Sequence, residues 1–162
     1  MGFNIPSEAL TPFYAGRFNP LTKDEKRFLR IFANDLGQFY IIAVQASKRN
    51  GTDMLHELIH GLFYCFPDYA ADVVKTIECL ERGDLKDRVA KFKKFLDESN
   101  YDESVHNDEI NAYVLTEKPE TIAPDTKILI AALNEEFKKH FGILPADIDK
   151  KFINSHLEIR FW

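Results

Sequence analysis

Apolar residues recur along this chain mostly at three-and-four spacing, the period of a helix with one buried flank. The clearest case is 55–66, where Leu55, Leu58, Ile59, Leu62 and Phe66 form one stripe. Gly51 with Thr52 or Asp53 marks the start of that helix, and Pro67 marks its end, because a residue before proline avoids the helical region. An earlier helix begins after Thr22, with Glu25 three residues on completing a capping box. Its apolar side is Phe28, Leu29, Ile31, Phe32 and Leu36, and Gly37 closes it. Further helices are predicted at about 69–82, ended by Gly83, at about 84–97, and around 108–115. The last opens on Pro124 and carries Leu129, Leu133, Phe137 and Phe141 towards the core, with Gly142 as its C′ residue.

Two-residue periodicity is rarer. Gln38–Ala46, rich in β-branched and aromatic residues, is the best strand, and the alternating tail 156–162 reads as a half-exposed one. Residues 1–21 are punctuated by Pro6, Pro12 and Pro20, with a short strand expected at Phe13–Phe18. Residues 98–107 read as a polar loop and 117–123 as a proline-bounded break. No repeat or interdomain linker interrupts the pattern. The expectation is a single domain over 1–162, α+β and mainly helical, with a small sheet.

Composition narrows the function. The chain has 162 residues, 45% of them hydrophobic, enough to bury a real core. A net charge of −5 gives no reason to expect nucleic acid, and no apolar run is long enough to span a membrane. The basic run within 86–94 alternates with acidic residues and reads as a solvated face. The N-terminus has neither a secretory signal nor a myristoylation pattern, and Cys65 and Cys79 read as reduced thiols, so the expected location is cytoplasmic.

The candidate chemistry lies at His56-Glu57-Leu58-Ile59-His60, an H-E-x-x-H motif beside the apolar stripe. Residues four apart share a helix face, so both imidazoles can converge on one metal ion, and Zn²⁺ suits them. Glu57 is then placed to take a proton from a water. A catalytic zinc needs a third protein ligand. The candidates are Asp68 and Asp72, Glu78 and Glu81, His106, and Asp108 and Glu109.

These residues resemble a zincin metallopeptidase of the gluzincin kind, in which the third ligand is a Glu on a later helix. The three-histidine metzincin pattern is excluded, since Phe66 stands where its last His would fall. In several gluzincin groups, among them membrane-embedded heat-shock peptidases and phage anti-repressor peptidases, that Glu sits in E-x-x-A-[D/N]. Glu109-Ile110-Asn111-Ala112-Tyr113 matches the Glu and the Ala but has Tyr at the last place. Glu78 and Glu81 straddle the thermolysin-type spacing but lack the Ser-Asp that usually follows. The resemblance implies one zinc per chain held by His56, His60 and Glu109, with Glu57 as general base and a peptide or protein as substrate. It implies a second donor for the oxyanion, with Tyr113 and His106 foremost and Tyr101 and Tyr64 behind them. Asp108 or Asn111 would orient a ligand imidazole. It also implies that 39–46 forms an edge for extended substrate, although its apolarity equally fits an internal strand. The competing readings are a zincin-like module that binds metal or protein without catalysis, and a metal-free interaction protein. An intact Glu57 is not required by either.

Overall fold

The computed structural model describes residues 2–35, 37–44, 52–83, 85–117, 122–123, 126–148 and 152. The chain is mainly helical with one two-stranded antiparallel sheet. In chain order the elements are β1 (Gly2–Pro6), α1 (Thr11–Tyr14), α2 (Lys23–Phe32), β2 (Tyr40–Val44), α3 (Thr52–Cys65), α4 (Pro67–Arg82), α5 (Lys86–Glu98), α6 (His106–Thr116) and α7 (Lys127–Phe141). Short 3₁₀ turns lie at Ser7–Leu10, Glu103–Val105 and Pro145–Asp147. Among the described residues no helix is long and apolar enough to cross a membrane.

The local signals explain most of these boundaries. At α2 the capping box is complete: Thr22 Oγ1 accepts the Glu25 N–H at 3.2 Å and Glu25 Oε2 accepts the Thr22 N–H at 2.6 Å. The helix ends at Phe32 rather than at Gly37, in a turn where Asp35 N–H donates to the Phe32 carbonyl at 3.1 Å. Asn34 and Asp35 compete with helical bonding there. Pro67 both ends α3 and opens α4 from its first turn, where its missing N–H costs nothing. Gly142 closes α7 with a left-handed φ of 74°. Pro124, Leu36, the loop at 47–51 and the alternating tail at 156–162 lie outside the described residues.

Two expectations are corrected near the N-terminus. The segment 13–18 is no strand: Thr11–Tyr14 forms a helical turn with Pro12 in its first positions, followed by turns. Its aromatic content instead serves a ring contact between Phe13 and Phe18, 4.6 Å apart. The second strand of the sheet is β1, from the segment read as proline-punctuated coil. It pairs with β2 in the register Gly2↔Val44 to Pro6↔Tyr40. Pro6 sits at the end of the strand, a position that tolerates a residue without N–H.

The core lies among α3 to α7. Tyr69, Val73 and Ile77 of α4, Val89, Phe92 and Leu96 of α5, Ile110 of α6, and Leu129, Leu133 and Phe137 of α7 are fully enclosed. Leu58, Ile59 and Leu62 anchor α3 to this core, each side chain contributing about 1.5–3 kcal/mol by leaving water. The sheet lies against another flank of α3. Gly61 permits that approach, since a Cβ there would meet the Tyr40 ring at 3.2 Å and Ile42 at 3.7 Å. α6 packs against the flank of α3 that carries the histidines.

Candidate metal centre

α3 presents His56 and His60 one turn apart, and α6 brings Glu109 to face them. His60 is 3% exposed, His56 15% and Glu109 12%, so the group is shielded yet reachable. The two Nε2 atoms are 3.1 Å apart, and Glu109 Oε2 lies 3.8 Å from His56 Nε2 and 3.7 Å from His60 Nε2. Ligand atoms about 2.0–2.1 Å from a tetrahedral zinc are about 3.3 Å apart, within the range these distances bracket.

The protonation pattern sharpens this fit. The Thr116 hydroxyl donates its only proton to the Ala112 carbonyl at 2.7 Å. It can therefore only accept from His56 Nδ1, 3.2 Å away, which places the imidazole proton on Nδ1. His60 Nδ1 faces Asp108 Oδ2 at 2.9 Å, to one side of the ring N–H direction, and the carboxylate calls for the same tautomer. Both Nε2 lone pairs then point at each other and at Glu109 Oε2, a buried oxygen with no hydrogen-bond donor. Three acceptors face one another. A shared proton satisfies one pair of them, whereas a divalent cation satisfies all three, so the donor set fits a metal ion.

Burial alone pushes the His60 pKa down, but the Asp108 contact, with the charges of Glu109 and Glu57, carries it above the usual histidine value. Burial raises Asp108 despite the opposing pull of His60. Burial, then the carboxylates of Asp108, Glu57 and Glu109, hold the Tyr40 hydroxyl well above the ordinary tyrosine range. The site is a concentration of negative charge.

Of the other candidates, Glu78 pairs with Arg82, Glu81 with Lys93, and Asp72 with Lys139 and His140, while Asp68 is exposed. Asp108 sits on the outer nitrogen of His60, as an orienting partner would, while Asn111 accepts instead from the buried Tyr69 hydroxyl at 3.0 Å. The Tyr113 ring packs edge-to-face with His56, centroids 4.9 Å apart, and its hydroxyl is near enough to Tyr101 to raise that residue's pKa. Tyr64 lies away from this group, bonded to Ser7 and Glu8. His106 also lies apart from it: its buried imidazole has Nε2 3.5 Å from Asp97 of α5. A cleft of about 880 Å³, lined by Lys91, Phe95 and Ile122 among others, borders the group through Tyr113 and Thr116.

Two site contacts escape the sequence. Thr116 lies one turn past Ala112 and two turns past Glu109 on α6, and nothing in the sequence marked it as the partner of His56. Asn4 of β1 had no local signal at all, yet its side-chain N–H donates to Glu57 Oε2 at 2.6 Å. At about 100° per residue, Glu57, Gly61 and Tyr64 form the flank of α3 beside the histidines. Asn4 touches Glu57, while Tyr40 and Ile42 of β2 lie over Gly61. One edge of β2, the strand expected to meet extended substrate, is paired with β1. No family model, characterised protein or solved structure matches this chain.

Proposed function

We propose that this chain is a zinc-dependent metallopeptidase with a zincin-like arrangement, in which His56, His60 and Glu109 hold the metal and Glu57 is the general base. The observation that carries the reading is the convergence of His56 Nε2, His60 Nε2 and the donor-less Glu109 Oε2 within 3.8 Å of one another, beside a glutamate one residue along the same helix. A small sheet over the motif helix and a glutamate from a later helix agree with the zincin resemblance.

Zinc bound there supplies Lewis acidity towards a water and a peptide carbonyl. Glu57 accepts the water proton and returns it to the leaving amine. Thr116 and Asp108, on the outer nitrogens of His56 and His60, would fix the two rings with Nε2 turned towards the metal. Tyr113 and Tyr101 are the donors for the developing oxyanion. Burial, then the neighbouring Tyr113 hydroxyl and the charges of Glu109 and Glu57, raise the Tyr101 pKa, so this hydroxyl keeps its proton. His106 has no part in this scheme, because its ring lies against Asp97 of α5 and outside the His56, His60 and Glu109 group. The cleft walled by Phe95, Tyr113 and Ile122 offers apolar room for a substrate side chain.

Elemental analysis after zinc-replete expression, together with peptide turnover, tests the proposal. One zinc per chain is expected, removed by chelator together with activity. Glu57→Gln should keep the metal and lose hydrolysis. Absence of zinc, or undiminished cleavage by Glu57→Gln, refutes it.

A further inference from the structure

The contact between Asn4 and Glu57 joins residues 53 positions apart and is the one polar link from the sheet to the H-E-x-x-H motif among the described residues. From it we infer that Asn4 is a positioning residue for Glu57, an inference that rests on the metallopeptidase reading above. A glutamate on a helix surface has three rotatable bonds, and the base must present one oxygen repeatedly at one place. The Asn4 amide ties down Oε2 with a charge-assisted hydrogen bond and leaves Oε1 to exchange the proton.

A blocking role for the same contact fits less well. A removable plug should be loosely attached, but β1 is half of the sheet. All five of its residues pair with β2, and Asn4 lies opposite Ile42, which packs on the core. The next residues continue the attachment. Ser7 N–H donates to the Phe39 carbonyl at 3.0 Å, Ser7 Oγ lies 3.1 Å from the Tyr64 hydroxyl, and Tyr64 also bonds Glu8. Both strands and the end of α3 are thereby held as one unit. Asn4 rides on that unit with its backbone fixed, which lets a short side chain hold a longer one. The position also demands a donor: an acceptor there would face the Glu57 carboxylate.

The experiment compares Asn4→Ala and the isosteric Asn4→Asp with wild type and Glu57→Gln, all zinc-loaded. Three readouts are taken: zinc content, the separate kcat and KM for peptide cleavage, and the NMR shift of the Asn4 side-chain amide. The amide signal is expected to move between wild type and Glu57→Gln, which reports the contact without any turnover. Asn4→Ala should lower kcat roughly tenfold to a hundredfold, with KM and zinc content unchanged. Asn4→Asp, the same shape with an acceptor in place of the donor, should fall at least as far. Unchanged or raised kcat in Asn4→Ala overturns the inference, and a raised kcat would make β1 a restraint. An amide signal indifferent to Glu57→Gln overturns it as well. If Glu57→Gln abolishes cleavage while the Asn4 variants are fully active, the metallopeptidase reading stands and the inference alone fails. If zinc-loaded wild type cleaves nothing while the amide still senses Glu57, the enzymatic reading fails and the contact is only structural.

Discussion

Replacing Ala112 by leucine should separate the metal centre from the stability of the fold. On α6, Asp108 and Thr116 touch the two histidines from positions one turn either side of Ala112, and Glu109 lies three residues before it. Successive residues advance about 100°, so Ala112 sits in the middle of that α3-facing stripe. It is fully buried. Leucine adds three carbons at the contact. Overpacking of this kind costs about 1–3 kcal/mol, or a fall in Tm of about 2–12 °C at about 2–4 °C per kcal/mol for a chain of this size. The effect on zinc should be disproportionate. Glu109 Oε2 is 3.7 and 3.8 Å from the two Nε2 atoms. If α6 retreats by about 1 Å, that oxygen can no longer share an ion whose bonds are about 2 Å long. Zinc affinity should then fall at least a hundredfold, beyond the usual cost of losing an outer-shell partner. Competition with a chromophoric chelator gives the affinity and a thermal melt gives the stability. Leu133→Ala on α7 is the control: a fully buried leucine whose loss costs about 2–5 kcal/mol and opens a cavity in the core. It should lower Tm as much or more while leaving zinc affinity nearly intact. The reasoning is refuted if Ala112→Leu lowers Tm without weakening zinc, or if both variants lose affinity in proportion to their loss of stability.

Two further outcomes test the packing around the site. Tyr69→Phe removes the donor to the buried Asn111 Oδ1 and should cost about 1–3 kcal/mol, seen as a lower Tm; an unchanged melt would mean that this bond between α4 and α6 contributes nothing. Cys79 is exposed, whereas burial raises the Cys65 thiol, so at neutral pH a thiol reagent should label Cys79 first, and equal labelling rates would contradict the described burial.

What the sequence makes legible follows from whether the determining contact is local. The capping box at Thr22 and Glu25, the stripe and proline stop of α3, and the Gly142 end of α7 are decided within a few residues, and each appears at or near its expected place. Glu109 was reachable because the motif beside it reports a close helix contact. β1 was not, because five residues ending in proline carry no periodic signal and their partner lies far along the chain. The reverse error at 13–18 took aromatic residues for a strand where Pro12 had already set a helical turn. Sequence proximity to Glu109 put His106 and Tyr113 forward together, and nearly the same side of α6 carries both. Only their tertiary partners separate them: Asp97 draws one imidazole towards α5, while Tyr113 packs on His56.

The number of ligands bears on whether such a metal would be structural or catalytic. A structural zinc is closed by four protein ligands, and a catalytic one keeps a position for water or substrate. Among the described residues, only His56, His60 and Glu109 bring ligand atoms together here. The nearest further acid, Asp108, is committed to His60 Nδ1 and lies on the outer side of the ring. Both cysteines are elsewhere: Cys65 at the end of α3 and Cys79 exposed on α4. Beside the three ligands stands Glu57, which a structural site has no use for, with one oxygen held by Asn4 and the other left without a protein donor among the contacts of the described residues. A three-ligand set is a poor way to staple a fold, since Glu109 and two histidines must stay desolvated for an incomplete coordination shell. It is an economical way to hold a reactive centre. If these three residues hold a metal, the ligand count and the tethered Glu57 favour a catalytic over a structural role, and two of the contacts that say so, Glu109 and Asn4, lie outside the motif.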